Sequence, residues 1–236
     1  MKKWLVCIIC LFLLPGCALA DGEIDWSRPV VALTFDDGPS EYTPLIVQLL
    51  EENGGHATFF MLGNRINTYK EAALAVAASG SEIGTHTFSH ERLPDTSRGS
   101  ILRSLTNSIQ VTEEVTGRKV KYLRPPYGAV GDAAYQVCRQ LNMPIIIWSL
   151  SSRDWEGKSA EEISETILTK VQNGDIILCH DTLKNTYEAM KTVIPELVER
   201  GYQLVTISEM FSAYDEELKI NALYSHLDFS KVNVHK

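Results

Sequence analysis

The chain alternates short apolar runs with longer segments in which apolar residues recur every three or four positions. Strand-like runs fall at 30–35, 57–62, 82–85, 121–124, 145–148, 175–180 and 203–207, seven in all. Segments with helical period lie between them, at about 42–53, 68–79, 98–116, 131–142, 159–172 and 186–200. Gly80, Gly117, Gly174 and Gly201 each fall just past a helical segment, where a left-handed residue closes the last turn. Ser159 followed by Glu162 is a capping box that opens its helix. Regular strand–helix alternation predicts a parallel sheet whose crossover helices cover its faces. Seven such units predict an α/β fold, a distorted or incomplete (β/α) barrel. Residues 212–236 have no clear place in that scheme and are expected to form a tail, either packed on the domain or frayed.

The first residues break the pattern. Lys2 and Lys3 precede eleven apolar residues, 4–14. A spanning helix needs about 20, so residues 1–20 read as a signal peptide rather than an anchor. Two exits compete: Ala18-Leu19-Ala20 fits a cleavage site, and Leu14-Pro15-Gly16-Cys17 resembles a bacterial lipobox that would leave Cys17 lipidated on a membrane surface. Either predicts an exported protein, extracellular, cell-wall associated or lipid-anchored, with no other membrane contact.

Removing residues 1–20 takes the formal charge from −8 to −10, because two lysines and no acids are lost. A chain so acidic, with no basic patch, is not a nucleic-acid binder, since that binding rests on Lys and Arg contacts with phosphate. Some 216 residues remain, enough for a full core and normal for an α/β barrel. Three of the five cysteines lie in the export segment. Cys138 and Cys179 sit in apolar stretches, which points to buried thiols, although export also permits a disulfide.

Polar clusters gather where the predicted strands end. Asp36-Asp37 closes the first strand, His86 the third and Arg124 the fourth; Asp154 follows the fifth and His180 ends the sixth. Catalytic residues of βα barrels collect at this end. Asp-Gly and Gly-Pro at 37–39 are also ordinary turn dipeptides. Two adjacent acids at the end of a buried strand, however, need a cation to offset their burial. His86 and His90 stand at ligand spacing and would share a face on a helical turn, with the Thr87 hydroxyl taking the N–H of Ser89 or His90. Two imidazoles, one of the two carboxylates and a water make an open catalytic zinc site, leaving the other carboxylate as a base. Ligand type would also admit iron, cobalt or nickel. Arg124 has the planar fork to hold a carboxylate. Asp154-Trp155 suits a carbohydrate surface, and Asp154 is the candidate partner of His180.

Together these segments resemble the polysaccharide deacetylase family, the NodB-homology domain of carbohydrate esterase family four. Its motifs appear in order as Thr34-Phe35-Asp36-Asp37-Gly38, His86-Thr87-Phe88-Ser89-His90, Arg124-Pro125-Pro126-Tyr127, Ser151-Ser152-Arg153-Asp154-Trp155 and Leu178-Cys179-His180. Ala57-Thr58-Phe59-Phe60 matches the family's second strand. The resemblance places one domain at 29–211, after a short lead at 21–28. It implies that Asp36 is the general base and that Asp37, His86 and His90 bind a divalent metal, with zinc the expected ion. It implies further that Arg124 orients Asp36 and that the Tyr127 N–H stabilises the oxyanion. His180 would be the general acid, tuned by Asp154, and Pro126, Trp155 and Leu178 would line the acetyl pocket. One position departs: Ser151 stands where the family usually has Asp, which bears on that loop's conformation and sugar contacts.

The implied activity is N-deacetylation of glycan, of cell-wall peptidoglycan or chitooligosaccharide type, by a monomer, releasing acetate and a free amino sugar. Removal of O-acetyl groups from a polysaccharide such as xylan is the alternative within the pattern. A non-catalytic glycan-binding protein is the alternative outside it. Intact Asp36, Asp37, His86, His90 and His180 argue against the second.

Overall fold

The computed structural model describes residues 24–214, 217–220 and 222–231. The export segment, with both its exits and Cys17, lies outside the described residues. Strand β1 (Val30–Asp36) is buried along its whole length. It pairs in parallel with β6 (Ile176–His180) on one edge and with β2 (Thr58–Met61) on the other. Strand β3 (Glu82–Thr85) continues from β2, and β7 (Gln203–Leu204) joins the start of β1.

From β3 the pairing passes through single bridges, Thr85 to Leu123 and Leu123 to Ile145. It reaches β4 (Ile145–Ile146), and the same run returns to β6 through β5 (Leu150–Ser151). The strands thus follow a ring without one continuous ladder, the distorted α/β barrel that the alternation predicts. The strand expected at 121–124 contracts to Leu123 because Pro125 and Pro126 bring no N–H to extend it. The run expected at 145–148 contracts to β4, and β5 follows beyond its end.

Helices α1 (Thr43–Glu52), α3 (Lys70–Ala78), α4 (Arg98–Thr116), α5 (Asp132–Leu141), α6 (Ala160–Lys170) and α7 (Lys184–Glu199) occupy the predicted segments. The short α2 (Gly63–Ile66) precedes α3. Gly117 caps α4 at φ 68°, and the Ser159–Glu162 box opens α6. One segment differs: expected as strand, 203–207 ends at Leu204, and Ile207 begins α8 (Ile207–Phe211). Thr206 and Glu209 form a second capping box there, and a cap satisfies the N–H groups that would otherwise extend a ladder.

Strand alternation sorts the core. Val31, Leu33 and Phe35 of β1 and Ile177 and Cys179 of β6 face the helices, packing with Ile46, Leu50, Met190 and Val193. Val30, Ala32 and Ile176 face the barrel interior with Phe60, Ile146 and Val205. Cys138 and Cys179 are free and buried, the thiol alternative left open by the sequence.

The C-terminal residues close a seam. Strand β8 (Leu223–Tyr224) pairs with β4, His226 bridges Asp175, and the Leu227 N–H donates to Gly174 O (2.8 Å). The segment therefore fills the gap between β4 and the start of β6, and Leu227 is buried.

Candidate active site

The inward line of β1 runs Val30, Ala32, Thr34, Asp36, and that of β6 runs Ile176, Leu178, His180. Their register sets Asp36 opposite His180 and Thr34 opposite Leu178. Apolar residues thus fill the lower interior, and the two polar residues face each other at the C-terminal strand ends. Period two in both strands produces this pairing.

Arg124 fills the space beneath Asp36. It has no solvent exposure, and its Nη1 donates to Asp36 Oδ1 and Thr34 Oγ1, both at 3.0 Å. Nε and Nη2 donate to the carbonyls of Ile146 and Ile147 at 3.0 and 3.1 Å. Its guanidinium lies 4.3 Å from the Phe60 ring centroid. A buried charge is tolerated only when paired and hydrogen-bonded, and Arg124 is both. Burial raises the Asp36 carboxyl above its usual range while the Arg124 charge opposes that shift.

Consecutive strand residues face opposite ways, so Asp37 should point away from Asp36. A left-handed φ of 69° at Asp37 breaks the alternation, and both carboxylates approach His86. Asp37 Oδ1 is buried with no hydrogen-bond partner, 3.6 Å from His86 Nε2 and 3.4 Å from His90 Nε2. His86 Nδ1 lies 2.7 Å from Arg124 O, a carbonyl that can only accept, so the proton sits on Nδ1 and Nε2 presents its lone pair. Burial holds His86 well below the usual imidazole range, in its neutral form.

The three donor atoms lie within 4.8 Å of one another. Two ligands about 2.0–2.2 Å from one tetrahedral ion sit roughly 3.3–3.6 Å apart. An orphaned carboxylate oxygen at that spacing from two imidazoles fits a divalent metal. The expected helical turn at 86–90 is instead a tight turn with Thr87 and His90 at φ 70° and 64°. The His90 N–H does donate to the Thr87 hydroxyl (3.0 Å).

Across the site, His180 Nδ1 lies 2.8 Å from Asp154 Oδ1, and Asp154 Oδ2 accepts from the His180 N–H and the Thr186 hydroxyl, both at 2.7 Å. Burial alone would lower the His180 pKa. The Asp154 hydrogen bond and charge, with Asp36 and Asp37 beyond, overcome that and push it up to about 9.

Two exposed rings bracket these groups. Tyr127, 66% exposed and at φ 61°, meets His90 edge-on, and Trp155, 51% exposed, meets His180 the same way. Pro126 and Leu178 are buried beside them in the chain and the sheet. Ser151 accepts the Arg153 N–H (3.1 Å), the turn-forming bond an Asp there would also accept, without the added charge.

Two acids carry parts of this arrangement that the motifs did not single out. Asp181 is fully buried directly after His180, and burial pushes its pKa up to about 7. Its carboxylate accepts from the Thr43 hydroxyl, its carbonyl from the Ser40 hydroxyl, and it lies against Gly38 so closely that a Cβ there would collide with it. Glu91, directly after His90, accepts from the Ser89 N–H and hydroxyl and from the Ser104 hydroxyl. Adjacency to His180 and His90 was the only signal either offered.

The family profile described as polysaccharide deacetylase matches residues 24–146. The chain belongs to the polysaccharide deacetylase family. It is 33% identical to the peptidoglycan-N-acetylmuramic acid deacetylase PdaC of Bacillus subtilis over 79% of its own length and 40% of that protein. It is 32% identical to a peptidoglycan-N-acetylglucosamine deacetylase of Bacillus cereus, covering 81% of this chain and 71% of the relative. The solved structure of PdaC superposes with a TM-score of 0.76, covering 80% of this chain and 93% of the PdaC chain. The chain thus spans less than half the length of PdaC and about seven-tenths of the Bacillus cereus protein.

Proposed function

We propose that this protein removes N-acetyl groups from N-acetylated glycan, of cell-wall peptidoglycan or chitooligosaccharide type, releasing acetate and a free amino sugar. The observation that carries the reading is the division of labour between two adjacent acids. Asp37 aims an unpaired oxygen at both histidines, while Asp36, which also approaches His86, has its Oδ1 held by Arg124.

Asp37, His86 and His90 would hold a divalent metal, zinc being the ion their donor set suits. Bound there, such an ion would polarise the acetamide carbonyl and acidify water. Asp36, fixed by Arg124, takes the proton of the attacking water. The backbone N–H of Tyr127 donates to the oxygen on which charge develops. His180, kept charged by Asp154, gives its proton to the nitrogen as the C–N bond breaks, so the sugar leaves as an amine. Pro126, Trp155 and Leu178 enclose the acetyl methyl, and the Tyr127 and Trp155 rings receive the glycan. The protein acts as a monomer outside the cytoplasm, consistent with the export pattern at 1–20 and with a lipid at Cys17 as one route to the cell surface.

The test is acetate release from peptidoglycan, chitooligosaccharides and acetylated xylan side by side, before and after chelation and with zinc restored. Zinc-dependent release from the first two is expected. Release from xylan alone would replace the amide reading with the ester one.

A further inference from the structure

Both histidines belong to one loop, 86–90, between β3 and α4, and that loop contains two non-glycine residues in the left-handed region. Thr87 is β-branched, a type that rarely adopts positive φ. Something outside the loop's own backbone must hold it.

Glu91 supplies the hold. Its carboxylate accepts from the Ser89 N–H (3.2 Å) and the Ser89 hydroxyl (2.8 Å). It also accepts from the hydroxyl of Ser104 in α4 (3.0 Å), and the Thr87 hydroxyl contributes. Ser104 in turn accepts the Phe88 N–H at 2.9 Å. A closed circuit therefore runs from Phe88 through Ser104 and Glu91 to Ser89, tying the histidine loop to a nineteen-residue helix. The neighbouring Arg92 pairs with Asp95 rather than with Glu91, so these hydroxyls and the amide are what the carboxylate serves. On its other side the loop is fixed by α2, where the Gly63 and Asn64 N–H groups donate to Thr87 O and Phe88 O.

We propose that Glu91 is a positioning residue for the metal site, bracing the loop so that Nε2 of His86 and His90 stay converged on Asp37. The inference rests on the metal role proposed for those three residues. Groups that orient metal ligands typically account for about 10–100-fold in metal affinity.

The experiment is Zn²⁺ binding to metal-free protein, measured by competition with a chromophoric chelator, alongside the melting temperature of the metal-free form. Glu91→Ala should weaken Zn²⁺ binding by about 10–100-fold, and Glu91→Gln, which keeps one acceptor oxygen, should fall between it and wild type. Ser104→Ala, on the helix and away from the ligands, should also weaken binding. The double variant should lose little beyond Glu91→Ala, since both residues serve one circuit. Metal-free melting temperatures should stay level. Zn²⁺ affinity of Glu91→Ala within about twofold of wild type would overturn the proposal, as would a loss that tracks a falling metal-free melting temperature. Wild type that binds no Zn²⁺ would overturn the metal assignment along with it, which keeps the two failures distinct.

Discussion

Asp36 and Asp37 carry the same side chain one residue apart, and their surroundings separate them. Asp36 lies in the interior with Arg124 on one oxygen; Asp37 turns through a left-handed φ and leaves an oxygen facing two imidazoles. Asp36→Asn should therefore retain the metal yet lose about 10²–10⁴-fold in kcat, equal to roughly 3–5 kcal/mol of barrier. Asp37→Asn should release the metal. Metal content beside single-turnover rates decides it, and the reverse pattern would exchange the two roles. His180 offers a pH test. Its charged form is the proposed acid, and a pKa raised to about 9 keeps that form present at neutral pH and lost as pH climbs through 9. Asp154→Asn removes the carboxylate that raises it, so the alkaline limb of the kcat profile on an N-acetylated oligosaccharide should move to lower pH. An unmoved limb would assign that limb to another group.

The β1–α1 turn shows how an element is held to a site. The Leu62 N–H donates to Gly38 O and the Arg65 guanidinium to Pro39 O from one side, while Asp181, Thr43 and Ser40 grip the turn from the other. No room for a Cβ remains at Gly38. Overpacking of this kind costs about 1–3 kcal/mol, so Gly38→Ala should lower the urea midpoint and, by displacing Asp37, weaken metal binding as well. Unchanged stability would mean that the Asp181 carboxylate swings aside freely. Of these contacts only the Asp-Gly-Pro turn was legible in the sequence. Thr43 and Asp181 are 138 residues apart, and an ordinary threonine and an acid after a strand give no sign of meeting.

At the scale of the molecule, the C-terminal segment supplies the seam that the seven predicted units leave open. Leu227 is 2% exposed against the interior cluster that contains Val30, Ile146 and Ile176. Leu227→Ala should cost about 2–5 kcal/mol, as for other buried leucines, measured by denaturant melting. A cost below about 1 kcal/mol would show a tail that merely rests on the domain. The sequence offers no pattern here because β8 has two residues, too few for period two to register, and its partner β4 is equally short.

Period and chemistry are local, and what they specify was decided in the sequence: strand and helix order, parallel pairing, and acids, histidines and an arginine at matching strand ends. Ser159 and Glu162 announce their helix because capping needs only four consecutive residues. Thr206 and Glu209 carry the same signal within a run that also reads as strand, and there the helix prevailed. Other features had to await the tertiary structure because they join residues remote in the chain. Arg124 reaches Asp36 only once β1 and the Leu123 segment lie across one barrel. Glu91 reaches Ser104 only once α4 folds back on the histidine loop. The backbone at Asp37 lies between these cases. Its identity is fixed in the chain, but its left-handed φ is set by neighbours that only the fold brings together, and that angle turns two adjacent carboxylates toward one centre.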